Sequence, residues 1–438
     1  MKATPILPKQ HFAKPLGTLM LWGLGVGYVI SGMYFGWNLG LEKGGTLGMA
    51  AATFAIMLMY AAFTFSYTEL ACAIPKAGGA FDYAERALGK NWGFVAGMAQ
   101  IIEFIFAPPA IAIAIGTYIH LEFEAIGVLQ AALATYLFFT ALNVWGVKLA
   151  AMVELVITLL AVGELLLFAG VALPHFSWAK LQQNPLPHGW SGAFAAIPFA
   201  IWFFLGIEGV ANVAEETRNP QKDILKGFGW AIATLMVLCV LTFVAAVGIG
   251  GWQQVVFLPD GSISDSPLPL AISNIIAPTH PLFRLLVAVG LFGLIASFHG
   301  LLLAGGRASF EFGRMGNAPR AIGKIHPKFH TPANAIIVNS LVGIVALFSG
   351  KTGEIITIAV FAALVLYGIA MVSILVLRKK EPALFRPFKV PFFPFTPIVA
   401  LVIASVSLLA MIWYNAGLAI LFSGILLLTF TLFKWIKK

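Results

Sequence analysis

The feature that most constrains this 438-residue chain is its succession of long, uninterrupted apolar stretches, separated by short segments that hold most of the charge. A helix needs about 20 apolar residues to cross a bilayer. Twelve such stretches can be read, at 17–40, 47–73, 93–118, 125–144, 148–173, 192–214, 227–251, 282–306, 333–349, 353–377, 396–413 and 416–434. They are continuous rather than alternating, which predicts helices and not the strands of a membrane barrel. Composition closes off other classes. With 10% charged and 60% hydrophobic residues, the chain cannot cover a soluble surface, which excludes a soluble enzyme, a disordered chain or a secreted disulfide scaffold. Cys72 and Cys239 both lie in apolar runs, so no disulfide or zinc framework is implied. The first stretch follows Lys2, Lys9 and Lys14 and is too long for a signal-peptide core, so it is expected to be retained as a span.

The charge pattern gives an orientation. With an even number of spans the termini share a side, and placing both inside puts 23 of the 27 Lys and Arg residues inside; Lys43, Lys180, Arg284 and Lys351 are the exceptions. By the positive-inside rule the chain is expected in a bacterial inner membrane with both termini cytoplasmic. The net charge of +9 is then a topology signal and calls for no nucleic-acid partner. The longest loop, about 252–281, falls outside and could hold a short helix over the entrance. Inside, 378–395 is rich in proline and reads as an extended linker between ten spans and a last pair at 396–434, with short cytoplasmic ends at 1–16 and 435–438.

Ten spans plus two suggest a repeat of five and five, 17–173 and 192–377, the second inserted upside down. That plan predicts helix breaks at matching places in the first and sixth spans. Ser31-Gly32 and Leu205-Gly206-Ile207 interrupt those spans, although glycine in a membrane helix also serves close packing. Other motifs fail. Gly350-Lys351-Thr352 lacks the first glycine of a phosphate-binding loop, since position 345 is Val345, and no hydrolase or metalloprotease signature occurs. The chain is therefore not expected to be an enzyme, and no cofactor or metal is implied.

Several runs together resemble the amino acid–polyamine–organocation superfamily of transporters. They are VISGMYFGWNLGLEKGG at 29–45, ELACAIPKAGGAFDY at 69–83, NVWGVK at 143–148, FLGIEGVANVAEETRNPQKD at 204–223, and the run from Gly305 to Pro319 with Arg307 and Gly316-Asn317-Ala318-Pro319. Within the superfamily, IEFIFAPPAIAIAIG at 102–116, WFFLGIEGVA at 202–211, ASFHG at 296–300 and FRPFKVP at 385–391 are most similar to the ethanolamine permeases. The resemblance implies an all-α polytopic fold of the leucine-transporter type, with broken first and sixth helices. A small-molecule amine would sit mid-membrane against Ser31, Gly32, Met33, Trp202, Phe203, Phe204 and Gly206, walled by Glu103, Ser297 and Tyr367 from the third, eighth and tenth spans. Exposed amides at such breaks receive anions and exposed carbonyls receive cations.

The interior charges need no family to be informative. Within the spans lie Glu103, Glu154, Glu164, Glu208 and His299, but no buried Lys or Arg. A carboxylate at mid-membrane costs several kcal/mol and marks a functional candidate. An acid-only interior fits a cationic substrate, a proton relay, or both. Glu208, Glu164 and His299 are the proton-coupling candidates; Glu154 could instead face cytoplasmic water near Lys148, and His299 could be a satisfied core histidine. Trp202, six residues before Glu208, could cover a bound ammonium by cation–π attraction. Glu69, Glu215 and Glu216 are expected near Arg86, Arg218 and Arg314, as gate salt bridges or a solvated face. Ala161 stands where relatives in the superfamily can carry a lysine that replaces sodium, so proton coupling or no coupling is expected over sodium. The function expected is a secondary carrier for a small amine, with an amino acid carrier or exchanger as the rival, and a channel or receptor further off. No oligomeric state can be read.

Overall fold

The structure is a computed structural model that describes residues 16–146 and 150–436. Lys2, Lys9, Lys14, Lys148, Lys437 and Lys438, used above to orient the chain, lie outside the described residues. In chain order the helices are α1 (Thr18–Val29), α2 (Ser31–Tyr34), α3 (Asn38–Ala73), α4 (Ala80–Leu88), α5 (Lys90–Glu122), α6 (Val128–Trp145), α7 (Ala150–Ala172), α8 (Trp178–Leu181), α9 (Gly189–Ala195), α10 (Ile197–Trp202), α11 (Pro220–Gly250), α12 (Gln253–Val256), α13 (Pro267–Ile272), α14 (Pro281–Arg314), α15 (Ala333–Leu347), α16 (Thr352–Lys380), α17 (Phe395–Tyr414) and α18 (Ala416–Ile436). Two 3₁₀ segments, Leu173–His175 and Ile207–Glu216, complete the set. The described residues form no sheet, only two isolated bridges, one of them joining Leu16 to Thr217.

Among the described residues ten helices are long and apolar enough to cross a membrane, and Thr18–Tyr34 and Ala333–Leu347 are shorter apolar helices. This is a multi-pass membrane protein. In hydrocarbon each backbone N–H and C=O must be satisfied, which is why the apolar stretches are helical. α5 is the central post, packed by α14 and α16 on the inside and by α4 and α6 beside them. α1 packs against α11, α7 and α14. α17 and α18 sit against α3, α16 and α5 and present broad apolar faces outward, as Leu409 and Leu427 show at 67% and 64% exposure.

Two expectations are corrected, and a third gains detail. Helix α14 runs to Arg314, so Arg307 lies on a helix and not in a loop. The segment 378–395 is not a free spacer: Arg378 and Arg386 both pair with Glu69, at 2.7 and 3.2 Å, and the Val390 amide donates to Glu69 at 2.7 Å. The outer loop carries two short helices, α12 and α13, and Ser264 within it is buried.

The helices fix opposite ends for Lys180 and Lys380 if the charge-based orientation holds. A single cysteine at Lys180 should react with a membrane-impermeant maleimide added to intact cells, and one at Lys380 only after permeabilisation. Labelling at Lys380 in intact cells would overturn the topology.

Candidate functional site

Two interrupted helices meet at the centre. The first span is helical to Val29, steps at Ile30, makes one further turn over Ser31–Tyr34, and then opens out. Phe35 is fully extended (φ −161°, ψ 171°) and Gly36 has φ +86° before the chain coils again at Asn38. The break is therefore wider than Ser31-Gly32 and centred later. The sixth span ends as α-helix at Trp202, turns at Gly206 with φ +94°, and resumes as a 3₁₀ segment. A left-handed φ suits glycine best, since it lacks the Cβ that makes this region costly. The two breaks touch at Gly32, where a Cβ would fall 2.5 Å from the Trp202 carbonyl oxygen and 3.0 Å from the Phe203 Cα.

Polar side chains take up the opened backbone. The Ser297 hydroxyl accepts from the Ser31 N–H at 2.9 Å and donates to the Gly27 carbonyl at 2.6 Å. Those two backbone groups would bond each other in a regular helix, four residues apart, so Ser297 is inserted into the ladder. The Trp202 indole N–H donates to the Phe35 carbonyl at 3.0 Å, the Trp37 indole to the Met33 carbonyl at 3.0 Å, and the Gly36 N–H to the Asn38 side-chain oxygen at 3.1 Å. Asn38 then donates to the Ser264 carbonyl at 2.7 Å, which ties the outer loop to the break.

The acids gather just beyond. Glu208 lies in the first turn after Gly206, fully buried, and accepts from the Tyr367 hydroxyl at 3.0 Å. Tyr60 and Tyr367 share a hydroxyl–hydroxyl bond of 3.1 Å. Glu103, on α5, faces the Glu208 carboxyl, and the Gly206 N–H approaches it. Neither Glu103 oxygen has a hydrogen-bond partner, and nor does Glu208 Oε1. Among the described residues no Lys or Arg pairs with Glu103, Glu208 or Glu164. Aromatic rings enclose the pair: Phe204 lies 5.2 Å from Tyr60, Phe63 lies 4.3 Å from Tyr367, and Phe203 stacks on Trp37 at 5.6 Å.

The other candidates separate from this centre. Glu164 is buried beside Tyr34, whose hydroxyl donates to the Ala161 carbonyl at 2.9 Å. Glu154 does not face open water: it is 2% exposed and pairs with His299 Nδ1 at 3.2 Å. His299 itself borders a cavity of about 240 Å³ that is also lined by Asn143, Asn212, Glu216, Arg307 and His330. The expected gate pairs are replaced by others. Glu216 pairs with Arg307 at 3.0 Å, Arg86 with Glu381 at 2.6 Å and Arg314 with Glu311 at 2.7 Å. Glu215 accepts from the Ala77 N–H at 3.3 Å. No group of His, Cys, Asp and Glu among the described residues could hold a metal ion. Sequence reading missed Tyr60, Asn38, and the Gln100–Asn212 pair, in which Gln100 donates to Asn212 at 2.9 Å and Asn212 to the Ala77 carbonyl at 2.8 Å. Polar amides inside apolar runs were the available signal for the last three.

A family model for amino acid permeases matches residues 18–434. The chain belongs to the amino acid permease family. It is 27% identical over 421 residues to an uncharacterized transporter of Rhizobium meliloti, covering 93% of this chain and 89% of that one. It is 26% identical to a branched-chain amino acid permease of Bacillus subtilis (92% and 90% covered), and 24% identical to a serine/threonine exchanger of the same organism (89% of each). A protein of this family is a transporter of small molecules.

Removing the Ser297 hydroxyl leaves the Ser31 amide and the Gly27 carbonyl without their partner. Each orphaned buried group costs about 1–3 kcal/mol. Ser297→Ala should therefore lower the thermal unfolding midpoint in detergent by several degrees, whereas an unchanged midpoint would mean that the break is supported elsewhere.

The outer loop makes a pH prediction. Burial pushes the Asp265 carboxyl up to about 6, against the opposing pull of the Thr352 hydroxyl, which it accepts at 3.3 Å. The closed loop therefore disfavours the ionised form. Its contact is strongest below the ordinary carboxylate range near 4 and weakens as pH rises from about 4 to 6. Hydrogen exchange of the 262–270 amides, corrected for the chemical rate, should be faster at pH 7 than at pH 5. Asp265→Asn should remove that difference; an identical difference in the variant would exclude Asp265 as its source.

Proposed function

We propose that the chain is a secondary active transporter that imports a small organic amine by alternating access, with ethanolamine, the substrate its sequence resemblance implies, as the first candidate. The observation that carries this reading is the buried Glu103–Glu208 carboxyl pair set beside two helix breaks. A cation stripped of water is held by carbonyl oxygens, carboxylates and aromatic faces, and a site with these and no basic side chain repels no ammonium. Ser31, Gly32, Met33, Trp202, Phe203, Phe204 and Gly206 supply the backbone and rings, and Ser297 and Tyr367 the walls. The twelve-span path with its inverted five-and-five repeat, both termini inside, completes the proposal.

Coupling is proposed to run through protons, with Glu208 as carrier and Glu164 and His299 as further candidates. A carboxyl pair that shares one proton can pass between charge states while staying hydrogen-bonded to Tyr367. Glu208→Gln imitates the protonated form. Binding and exchange of labelled ethanolamine in proteoliposomes should survive in that variant, while accumulation driven by an imposed pH gradient is lost. Normal pH-driven accumulation would remove Glu208 from the coupling path, and loss of binding at every pH would make it a counter-ion instead.

A second reading, an amino acid carrier or exchanger, is favoured by the family itself and by the activities its relatives are named for. A substrate carboxylate would then be received by amides at Ser31-Gly32-Met33, without an arginine. Saturable uptake of labelled amino acids, with none of ethanolamine, would decide for it.

A further inference from the structure

Away from the centre, an apolar groove lies on the outer face between the end of α4, the start of α5, α16 and α17. Its floor is Leu364, Val365, Gly368, Ile369 and Val372 of α16, and its sides are Leu88 and Trp92 on one hand and Leu401, Ala404 and Leu408 on the other. Its volume is about 360 Å³. Gly368 deepens it, since a Cβ there would meet nothing nearer than Leu401 at 4.0 Å. At 1.5 Å per residue the floor runs about 12 Å along α16, roughly the depth of one bilayer leaflet's hydrocarbon.

One end of this groove is cationic. Lys379 lies seven residues beyond Val372, on the same face of α16, and is exposed. Lys90 stands exposed between Leu88 and Trp92, and Lys380 donates to the Arg86 carbonyl at 3.3 Å, which brings it to the end of α4. Of the nearby acids, Glu381 is taken by Arg86 in a pair of 2.6 Å, and Glu85 sits on α4 with its Cβ against Gly93 at the start of α5. Trp92 is 51% exposed at this same end, where an amphipathic ring belongs at the membrane–water boundary. An apolar channel one leaflet deep, with lysines and a tryptophan at its mouth, is complementary to a lipid whose headgroup carries a negative charge.

We propose that this groove is a binding site for an anionic glycerophospholipid, one acyl chain lying over Gly368 and the phosphate held by Lys90 and Lys379. The site is independent of the substrate reading, because no residue of it lies among the proposed substrate or proton groups.

The test is native mass spectrometry of the full chain released from detergent with added phosphatidylglycerol or phosphatidylcholine. The wild-type protein should retain one phosphatidylglycerol at several-fold lower lipid concentration than phosphatidylcholine. Lys90→Gln with Lys379→Gln should erase that preference, and Gly368→Phe, which fills the groove, should lower retention of both lipids. The paired lysine variant alters only exposed side chains, so it remains informative if Gly368→Phe folds poorly. Equal retention of the two lipids by the wild type, unchanged preference in the lysine variant, or a dimer whose groove residues are protected by a second copy would each overturn the proposal.

Discussion

The structure depends on one costly act, the opening of two helices inside a membrane. Hydrocarbon offers no water to an exposed amide or carbonyl, so each break persists only if side chains or the other break supply the missing partners. Here they do both. Gly32 lets the first span lie directly on the Trp202 carbonyl, and Ser297 from α14 stands between the Ser31 amide and the Gly27 carbonyl. Trp202 and Trp37 use their indole N–H groups in the same way. The indole of Trp202, which was expected to cover a bound ammonium, is thereby fixed on the first-span break, with its ring edge-on to Phe35 at 5.4 Å.

From that constraint the placing of the acids follows. Glu208 comes two residues after the glycine that turns the sixth span, which sets its carboxyl toward α5 and α16, beside Glu103 and Tyr367. A second titratable pair, Glu154 with His299, lies nearer the cavity that reaches Arg307 and Glu216. The loop that carries α12 and α13 is held differently, its Ser264 carbonyl accepting from Asn38. The two ends of the pathway are thus held by unlike contacts: ion pairs and a polar cavity at one, loop-to-helix hydrogen bonds at the other. Glu69, gripped by Arg378, Arg386 and the Val390 amide, fastens the end of α3 to α16 and the segment after it.

Much of this was legible in the sequence, and for a physical reason. The bilayer forces helices wherever apolar runs are long enough, so the helical elements could be read from hydropathy. The sixth-span break was legible because Gly206 interrupts an apolar run two residues before an acid. The first-span break was placed too early, since Ser31-Gly32 drew the eye while the extended residues are Phe35 and Gly36. Ion pairs were not legible. Glu69 and Arg378 stand 309 residues apart, and nearness in sequence pointed to Arg86 instead, which is taken by Glu381. Arg307 was misplaced because hydropathy ends at the membrane boundary while α14 continues beyond it. Tyr60 carried no signal at all, being one aromatic residue within an apolar stretch.

The central proposal is that the buried, neighbouring Glu103 and Glu208 carboxyls beside the two breaks hold a proton at neutral pH. Infrared spectroscopy of the purified transporter in lipid at neutral pH measures this directly, through the carbonyl stretch of a protonated carboxyl. The account predicts a carboxylic-acid band in the wild type that shifts on deuterium exchange and is lost when both residues are changed to glutamine, leaving whatever Glu154 and Glu164 contribute. Identical carboxylic-acid absorption in the wild type and the double variant would contradict it.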